Sequence, residues 1–354
     1  MKALPEGFHE SHLIASLADG WGLDVQSARY AAVGFGSYHW DVTDAAGRRY
    51  FVTVDDLDQK SWLGRHRDSA FDGLRAALDT ALALRRDAGL QFVLAPIPAA
   101  DGETVRRAGS RHSVALFPYV HGSCGRLGEE RPPALRSDVI GMLAELHRAT
   151  GVVLPIAPRR HLKLTERDCL EAALGELDHT WTGGPFSEPA RDLLARHASA
   201  LRRRLDTFDR LADEVAEAGA ELVITHGEPH AGNWLRTVDQ VFLVDWDTVG
   251  LGPPERDLWL ITRDVDERAL YTDATGRTVD SAAIALYRLR WELDDVALYT
   301  TQFRSAHAHT ADTEKAWHSL SGYLRSYGAG RSDGLGRSAT AAPPLAGSAG
   351  SLKP

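Results

Sequence analysis

Apolar and polar positions alternate through much of the early part of the chain, and this pattern predicts β-strands. The polar turns GFGS and DAAGR separate the first three runs, which indicates antiparallel neighbours. Apolar residues recur at helical spacing in residues 69–88 and, more briefly, in residues 13–17. The predicted strands are residues 25–33, 38–43, 49–54, 92–94 and 113–119. We therefore expect a small lobe in which these strands surround one long helix.

After residue 119 the apolar spacing becomes mainly helical, and short strand-like runs return only around residues 222–247. The predicted helices are residues 138–148, 166–177, 188–218, 283–303 and 313–326. The last residues are rich in Gly, Ala, Ser and Pro, so they cannot bury enough apolar surface to offset the entropy of ordering. The pattern predicts an α+β chain with an N-terminal lobe at 1–118, a helical lobe at 119–328 and a disordered tail at 329–354.

Composition narrows the possible classes of protein. A chain of 354 residues that is 44% hydrophobic can bury a sizeable core, and its formal charge of −9 disfavours nucleic acid as a partner. The two cysteines, Cys124 and Cys169, are far apart and lack the spacing of a disulfide framework or a zinc site. No apolar run reaches the roughly 18 residues that cross a bilayer, and no signal peptide is evident. We expect a soluble, cytoplasmic protein with no membrane partner.

Polar residues that can carry chemistry follow two apolar runs, in the segments HGEPHAGN and LVDWD. Asn233 and Asp245 offer the oxygen ligands that Mg²⁺ requires, and Glu228 is a carboxylate that can accept a proton from a hydroxyl. Phosphoryl transfer needs these functions, with Asp247 as a weaker candidate that supports the ligands. An isolated Asp after a strand is also a common turn former, but Asp245 has Asn233 as its expected companion.

These two segments resemble the catalytic loop and the metal-binding segment of the aminoglycoside phosphotransferase family, whose relatives include choline kinases and protein kinases. The order of elements over residues 25–327 is most similar to spectinomycin-type phosphotransferases. In GLGPPERDLWL, Asp257 resembles the family aspartate that braces the catalytic loop, and His226 resembles a residue that holds the loop by hydrogen bonds. The resemblance implies a bilobal, protein-kinase-like fold, Mg²⁺, and ATP or GTP as the phosphoryl donor.

The resemblance also implies a nucleotide site between the lobes. The turn that contains Gly34, Gly36 and Ser37 has the position of the loop that covers the phosphates, although GxGS between strands is equally typical of a plain hairpin. The segment from Phe117 through Tyr119 to Val120 resembles the hinge whose backbone meets the purine. The expected partners are thus a nucleotide and a small molecule.

Two departures from the family pattern are visible. Glu228 stands where most members carry Asp, and one extra methylene moves its oxygens by about an ångström, which matters where positioning dominates the rate. Thr53 stands on the third strand where the family has the lysine that holds the phosphates, and the following helix offers only Asp72 and Asp79 as acidic partners. A cation from another backbone position can take over this function. The nearby candidates are Lys60, Arg65 and Arg67.

These features lead to one main hypothesis and two alternatives. The main one is a phosphotransferase that acts on a cationic, polyhydroxylated aminoglycoside or aminocyclitol, attracted by acidic residues of the C-terminal helices. Those residues are Asp264, Asp266, Glu267, Glu292, Asp294 and Asp295, and acidic residues on helices otherwise face solvent. The alternatives are a nucleotide-binding pseudo-enzyme, suggested by Thr53, and a kinase for a metabolic alcohol such as choline, homoserine or a sugar. The sequence leaves the oligomeric state open.

Overall fold

An antiparallel five-stranded sheet forms the first part of the structure, with strand order β1-β2-β3-β5-β4. The structure is a computed structural model that describes residues 1–130 and 132–328, so the tail predicted at 329–354 lies outside the described residues. The strands are β1 (Val25–Ala31), β2 (Tyr38–Asp44), β3 (Arg49–Asp56), β4 (Arg106–Ala108) and β5 (His112–Pro118). The three strands predicted first and the last one are confirmed to within a few residues.

Two helices cover opposite faces of this sheet. Helix α1 (Glu10–Trp21) inserts Leu13 and Leu17 against the face that carries Val52. Helix α2 (Arg67–Arg86) packs on the other face, against Ala115. Because successive side chains of a strand point to opposite faces, Thr53 and Asp55 share the α2 side of β3. The third strand thus presents its polar positions away from α1.

The prediction of a strand at residues 92–94 is wrong. The edge of the sheet is formed by β4 instead, whose sequence RRA is too polar and too short to register as a strand pattern. Val93 forms a parallel bridge with Leu243, and the Leu243 amide donates to the Phe92 carbonyl at 2.8 Å. A run of three apolar residues can be buried equally well in the five-stranded sheet or against Leu243, so the local pattern does not specify which segment residues 92–94 pair with.

The rest of the described chain is mainly helical, as predicted, and α7 and α8 add to the predicted helices. The helices are α3 (Pro133–Arg148), α4 (Thr150–Val153), α5 (Arg167–Gly175), α6 (Ser187–Ala218), α7 (Glu255–Ile261), α8 (Val265–Thr275), α9 (Ser281–Arg304) and α10 (Ala311–Gly328). Helix α6 presents a leucine-rich stripe to α9 and α10, and this packing forms one core. A second core lies between α2, α3 and the short strands of this region.

Four short strands carry the loops in which the candidate chemistry lies. They are β6 (Val223–Thr225), which pairs with β9 (Gly250–Gly252), and β7 (Trp234–Arg236), which pairs with β8 (Val241–Leu243). The β7–β8 hairpin contacts two stretches that adjoin the five-stranded sheet, because Val93, between α2 and β4, bridges to Leu243 and Ser123, after β5, bridges to Arg236. In the described ranges, no helix combines the length and hydropathy needed to cross a membrane.

Candidate active site

A buried carboxylate, that of Asp257, anchors the loop between β6 and β7 through backbone amides of the loop. Asp257 at the start of α7 accepts hydrogen bonds from the backbone amides of His226 at 2.9 Å and Gly227 at 2.6 Å. Its third contact is with His147 Nε2 at 3.1 Å, while His147 Nδ1 lies 2.7 Å from the Tyr271 hydroxyl. Burial opposes ionisation of Asp257, but these hydrogen bonds and nearby cations outweigh it and lower the pKa of its carboxyl. The loop therefore rests on a fixed anion.

His226 acts as a structural residue, as expected. Its Nε2 donates to the Val244 carbonyl at 3.0 Å and its Nδ1 accepts the Glu228 amide at 3.2 Å, a pattern that requires the neutral Nε2–H tautomer. Burial lowers the pKa of the imidazole, which keeps it neutral. The ring of Trp246 packs against it with centroids 4.5 Å apart. His226 thereby ties the loop to the end of β8.

Asn233 and Asp245 meet through the backbone of the same two segments. Asn233 donates its side-chain amide to the Glu228 carbonyl at 2.9 Å, and its own carbonyl accepts the Val244 amide at 3.1 Å. Asp245 follows Val244 directly, so the two residues lie close together. Asn233 is buried and its Nδ2 is committed to the loop, so Oδ1 is the atom left to act as a ligand. The structure thus brings together Glu228, Asn233 and Asp245.

Asp245 has a left-handed backbone, with φ of 67°, and no other non-glycine residue in the described ranges has a positive φ. A left-handed conformation costs about 1–2 kcal/mol for most L-residues and less for Asp and Asn. Strain of this kind persists where the surroundings fix it, typically at functional sites. Here the bonds on either side of Asp245 impose it and direct the side chain to the exposed side of the loop.

Negative charge accumulates around Glu228. Its side chain keeps 35% of its surface accessible, yet burial of the carboxyl, followed by the nearby Asp247 and Asp245 carboxylates, raises its pKa to about 8. Burial and the Asp247 carboxylate likewise raise the pKa of Asp245. Mutual repulsion among these carboxylates favours the binding of a cation at the site.

The donor set fits Mg²⁺ only with help from a ligand. In the part of the chain that the structure describes, no group of three His, Cys, Asp or Glu side chains can hold a metal ion alone. Asn233 and Asp245 supply hard oxygen donors, and Mg²⁺ commonly takes one or two carboxylates together with phosphate oxygens and water. The excess of carboxylates described above supports a divalent cation at this position.

Lys60 is the one candidate cation that the fold places at this site. Its side chain is 1% exposed, and its ammonium forms ion pairs of 2.8 Å with both Asp55 and Asp247. It also donates to Ser37 Oγ at 2.9 Å. Burial opposes the charged form, but Asp247, Asp55 and Asp245 together raise the pKa of Lys60 above its ordinary value.

The other two candidate cations lie elsewhere. Arg65 and Arg67 form exposed pairs with Asp168 and Asp58. The two acidic residues noted on α2 do not pair with Lys60, because Asp72 pairs with Arg75 and Asp79 accepts from Thr104 at 2.7 Å. The acidic partners of Lys60 are Asp247 and Asp55. Sequence reasoning overlooked Asp55, although it lies on β3 in the quoted segment YFVTVDD.

The β3 position of the missing lysine is electrically neutral. Thr53 Oγ1 lies 3.2 Å from His39 Nδ1, and the His39 ring stacks on Phe51 with centroids 5.0 Å apart. Burial lowers the pKa of His39 to about 3, so its imidazole stays uncharged at neutral pH. Thr53 and His39 therefore place no positive charge at this position of the sheet.

The predicted nucleotide-covering turn joins β1 to β2. Gly34 and Gly36 have φ of 69° and 85°, which glycine adopts without strain. Ser37 at its end is buried and donates to Asp55 at 2.6 Å, so the turn is tied to the same ion pair as Lys60. The predicted hinge spans the end of β5 and the residues after it: Phe117 pairs with Phe51 of β3 within the sheet, and the Arg49 guanidinium lies 3.6 Å from the Tyr119 ring centroid. Val120 comes next and is half-buried.

Two half-buried arginines donate hydrogen bonds to the backbone of the acidic segment, and sequence reasoning missed both. Arg160 donates to the carbonyls of Asp247 at 3.1 Å and Val249 at 2.8 Å, and burial lowers its pKa to about 9. Arg256 donates to Thr225 Oγ1 at 2.6 Å and to the Thr248 carbonyl at 2.7 Å. The only signal for either was the place of Arg256 beside Asp257 in GLGPPERDLWL.

Comparison with known proteins decides the family. A sequence model described as the phosphotransferase enzyme family, APH, matches residues 29–299. The chain belongs to this family. The fold of this phosphotransferase-family protein is protein-kinase-like, as the quoted motifs predicted. The resemblance stated from those motifs is confirmed.

Individual relatives of this phosphotransferase-family protein are distant. Protein StrN of Streptomyces griseus is 29% identical over 277 residues, which cover 74% of this chain and 80% of StrN. The structure of spectinomycin phosphotransferase, APH(9)-Ia, with ADP and spectinomycin superimposes with a TM-score of 0.67 at 16% identity, covering 92% of this chain and 99% of that one. Choline kinase LicA from Streptococcus pneumoniae gives 0.55 at 13% identity, covering 90% and 99%. At these identities the two solved structures show the shared fold.

Proposed function

We propose that this family member transfers the terminal phosphoryl group of ATP or GTP to a hydroxyl of an ammonium-bearing small molecule of the aminoglycoside or aminocyclitol class. The observation that carries the proposal is the pair of hydrogen bonds, from Asn233 Nδ2 to the Glu228 carbonyl and from the Val244 amide to the Asn233 carbonyl, that brings Glu228, Asn233 and Asp245 into one region. In-line transfer needs a base for the acceptor hydroxyl and a metal site for the phosphates within one small region. These three side chains supply both.

Each residue then has a defined task. Glu228 accepts the proton of the attacking hydroxyl, and Asn233 and Asp245 would hold Mg²⁺, which would offset the negative charge of the phosphates. Lys60 supplies the positive charge that the Thr53 position lacks. Asp257 and His226 keep the loop in place through its backbone amides and the Val244 carbonyl. A cation within reach of the site favours a working enzyme over a pseudo-enzyme.

The pH dependence follows from Glu228. A base must be deprotonated to accept a proton, and burial together with Asp247 and Asp245 raises the pKa of Glu228 to about 8. We expect kcat/KM for the nucleotide to rise with pH and to level off above this pKa, and Glu228→Gln to remove the rise. Initial rates from pH 5.5 to 9.5 measure it. A flat profile in the wild type, or an identical profile in Glu228→Gln, would exclude Glu228 as the base.

The acceptor class is inferred from one half-buried carboxylate. The other acidic candidates are already explained: Asp264 caps α8, Asp266 is exposed, and arginines pair with the rest. Those pairs are Glu267 with Arg136, Glu292 with Arg204 and Asp294 with Arg290. Asp295 differs, since no lysine or arginine in the described ranges forms an ion pair with it.

Asp295 lies on α9 among aromatic groups. Its Oδ2 accepts the Tyr323 hydroxyl at 2.8 Å, and burial raises its pKa to about 7. One turn earlier on α9, the Trp291 ring faces the ring of His230, two residues beyond Glu228. A carboxylate with aromatic neighbours suits an ammonium group, by charge and by cation–π contact. The subsite proposed for the ammonium thus lies beside the base.

The names of the structural relatives support an acceptor of this kind. APH(9)-Ia is a spectinomycin phosphotransferase whose structure holds ADP and spectinomycin, and LicA is a choline kinase. Both named substrates combine a hydroxyl with a positively charged nitrogen. The proposal for this chain takes over that shared chemistry and leaves the choice between an aminocyclitol and a smaller alcohol to experiment.

The test is a panel of acceptors with Mg²⁺ and either ATP or GTP. It contains aminoglycosides, spectinomycin, choline, homoserine and neutral sugars, and phosphorylated product is detected by mass spectrometry. We expect product with at least one ammonium-bearing acceptor of the aminoglycoside or aminocyclitol class. Turnover of neutral sugars alone would overturn the acceptor class, and nucleotide binding without product from any acceptor would overturn the enzyme itself.

Asp295→Asn tests the ammonium subsite on the acceptor found. Loss of one desolvated charge pair costs on the order of tenfold or more in binding, so we expect KM for that acceptor to rise by about tenfold while KM for the nucleotide stays unchanged. Asp294→Asn is the matched control, because it removes the same charge one residue away from a carboxylate that Arg290 already pairs. Equal effects of the two variants would assign the change to general charge.

A further inference from the structure

The ammonium of Lys60 is enclosed by three polar partners, and its side chain is only 1% exposed. A lysine ammonium has three N–H donors. Two hydrogen bonds run to Asp247 Oδ2 at 2.8 Å and Ser37 Oγ at 2.9 Å, and the ammonium also forms an ion pair with Asp55 Oδ1 at 2.8 Å. A phosphate oxygen that binds Lys60 must therefore displace one of them.

We infer that the phosphate of the nucleotide displaces Asp247 from Lys60, while Asp55 and Ser37 keep the lysine in place. This inference rests on the proposed function, because it assumes that a nucleotide binds at this site. It assigns Asp55 as the positioning residue of a relocated phosphate-binding cation, and Asp247 as the partner that Lys60 gives up. The lysine and its retained acidic partner then both belong to the segment that begins at β3.

The contacts indicate which partner leaves. Asp55 lies on β3, Ser37 directly precedes the neighbouring strand β2, and the two are bonded at 2.6 Å, so they form a unit with Lys60. Asp247 comes from the segment after β8, outside this sheet. It is also the more accessible carboxylate, at 14% exposure against 4% for Asp55. Separation of Lys60 from Asp247 leaves the sheet intact.

The charges around Lys60 determine whether removal of Asp247 strengthens or weakens nucleotide binding. One ammonium faces the carboxylates of Asp55, Asp247 and nearby Asp245, so a nucleotide without metal adds negative charge to a site that already has an excess. Removal of the Asp247 charge relieves this repulsion and also frees a donor of Lys60. Removal of the Asp245 charge relieves repulsion alone, since among the described residues Lys60 forms ion pairs only with the other two carboxylates.

The experiment measures ADP binding by calorimetry in the absence of Mg²⁺, with wild type, Asp247→Asn, Lys60→Met and the double variant. A hydrogen bond to a charged group changes affinity by about tenfold, so Lys60→Met is expected to weaken ADP binding by about that factor. Asp247→Asn is expected to tighten binding, by about fivefold more in the wild-type background than beside Lys60→Met. The same tightening in both backgrounds overturns the exchange.

A second comparison covers the case in which Lys60→Met does not fold. Asp247→Asn must then tighten metal-free ADP binding more than Asp245→Asn does, and equal effects overturn the inference. Asp58→Asn is the matched control, because it removes a carboxylate from an exposed pair in the segment just after β3 and is expected to leave ADP binding unchanged.

If the wild type binds no nucleotide even with Mg²⁺, the proposed function fails and the exchange with it. If the wild type phosphorylates an acceptor while the variants behave additively, only the exchange fails.

Discussion

Asp245→Asn is expected to lower kcat by at least about a thousandfold, since it removes the charged ligand that holds the metal against the phosphates. Asparagine also tolerates a left-handed backbone, so the strained conformation at φ of 67° is kept and the fold is preserved. Single-turnover rates with the acceptor found in the panel measure the loss, and far-UV circular dichroism checks the fold.

Asp239→Asn provides the control for this experiment. Asp239 is an exposed residue of the turn between β7 and β8, close in sequence and of the same charge. We expect it to keep the wild-type rate. A rate for Asp245→Asn within about tenfold of wild type would remove this residue from the metal site, because oxygen-ligand loss at a transferring phosphoryl group has larger consequences.

Asp257→Ala is expected to destabilise the protein by about 3 kcal/mol or more, because it leaves the amides of His226 and Gly227 and the ring of His147 without their buried partner. Urea unfolding followed by fluorescence measures the free energy. Asp273→Ala, an exposed position on α8, is the control and should stay within about 0.5 kcal/mol. Equal losses would mean that the loop is held by other contacts.

The same variant has a pH signature. The pKa of Asp257 is lower in the folded state than its unfolded value of 3.8, so its contribution is present above that pH and is lost as the pH falls. The stability difference between wild type and Asp257→Ala should therefore narrow below about pH 4. A difference that is constant from pH 7 to pH 3 would contradict an ionised Asp257.

Local sequence predicted the parts of the site that are contiguous in the chain. HGEPHAGN and LVDWD each place their polar residues directly after apolar strand residues, so spacing alone indicated that Glu228, Asn233 and Asp245 share a loop region. His147, Tyr271 and Arg160 lie on other elements and reach the loop only through packing of α3, α8 and the segment before α5. No local pattern distinguishes a histidine on α3 that faces Asp257 from one that faces solvent.

Local sequence was also insufficient to identify the cation that replaces the β3 lysine. Proximity in sequence made Lys60, Arg65 and Arg67 equal candidates for the phosphate-binding cation. Of these three, only Lys60 contacts Ser37, to which its ammonium donates. No acidic partner was predicted, because the helix that normally supplies one lacks the glutamate, whereas Lys60 pairs with Asp55 on β3 and with Asp247 far away in the sequence. Buried ion pairs depend on burial of both members, and burial is a property of the tertiary fold.

The β7–β8 hairpin has a mechanical consequence. Two stretches that adjoin the five-stranded sheet bridge to it, Val93 to Leu243 and Ser123 to Arg236, and Asn233 and Asp245 both lie just beyond its open end, next to Leu243. A displacement of the sheet that preserves both bridges must turn about the line through them. Displacement grows with distance from such a line, so the two oxygen donors beside Leu243 would move least.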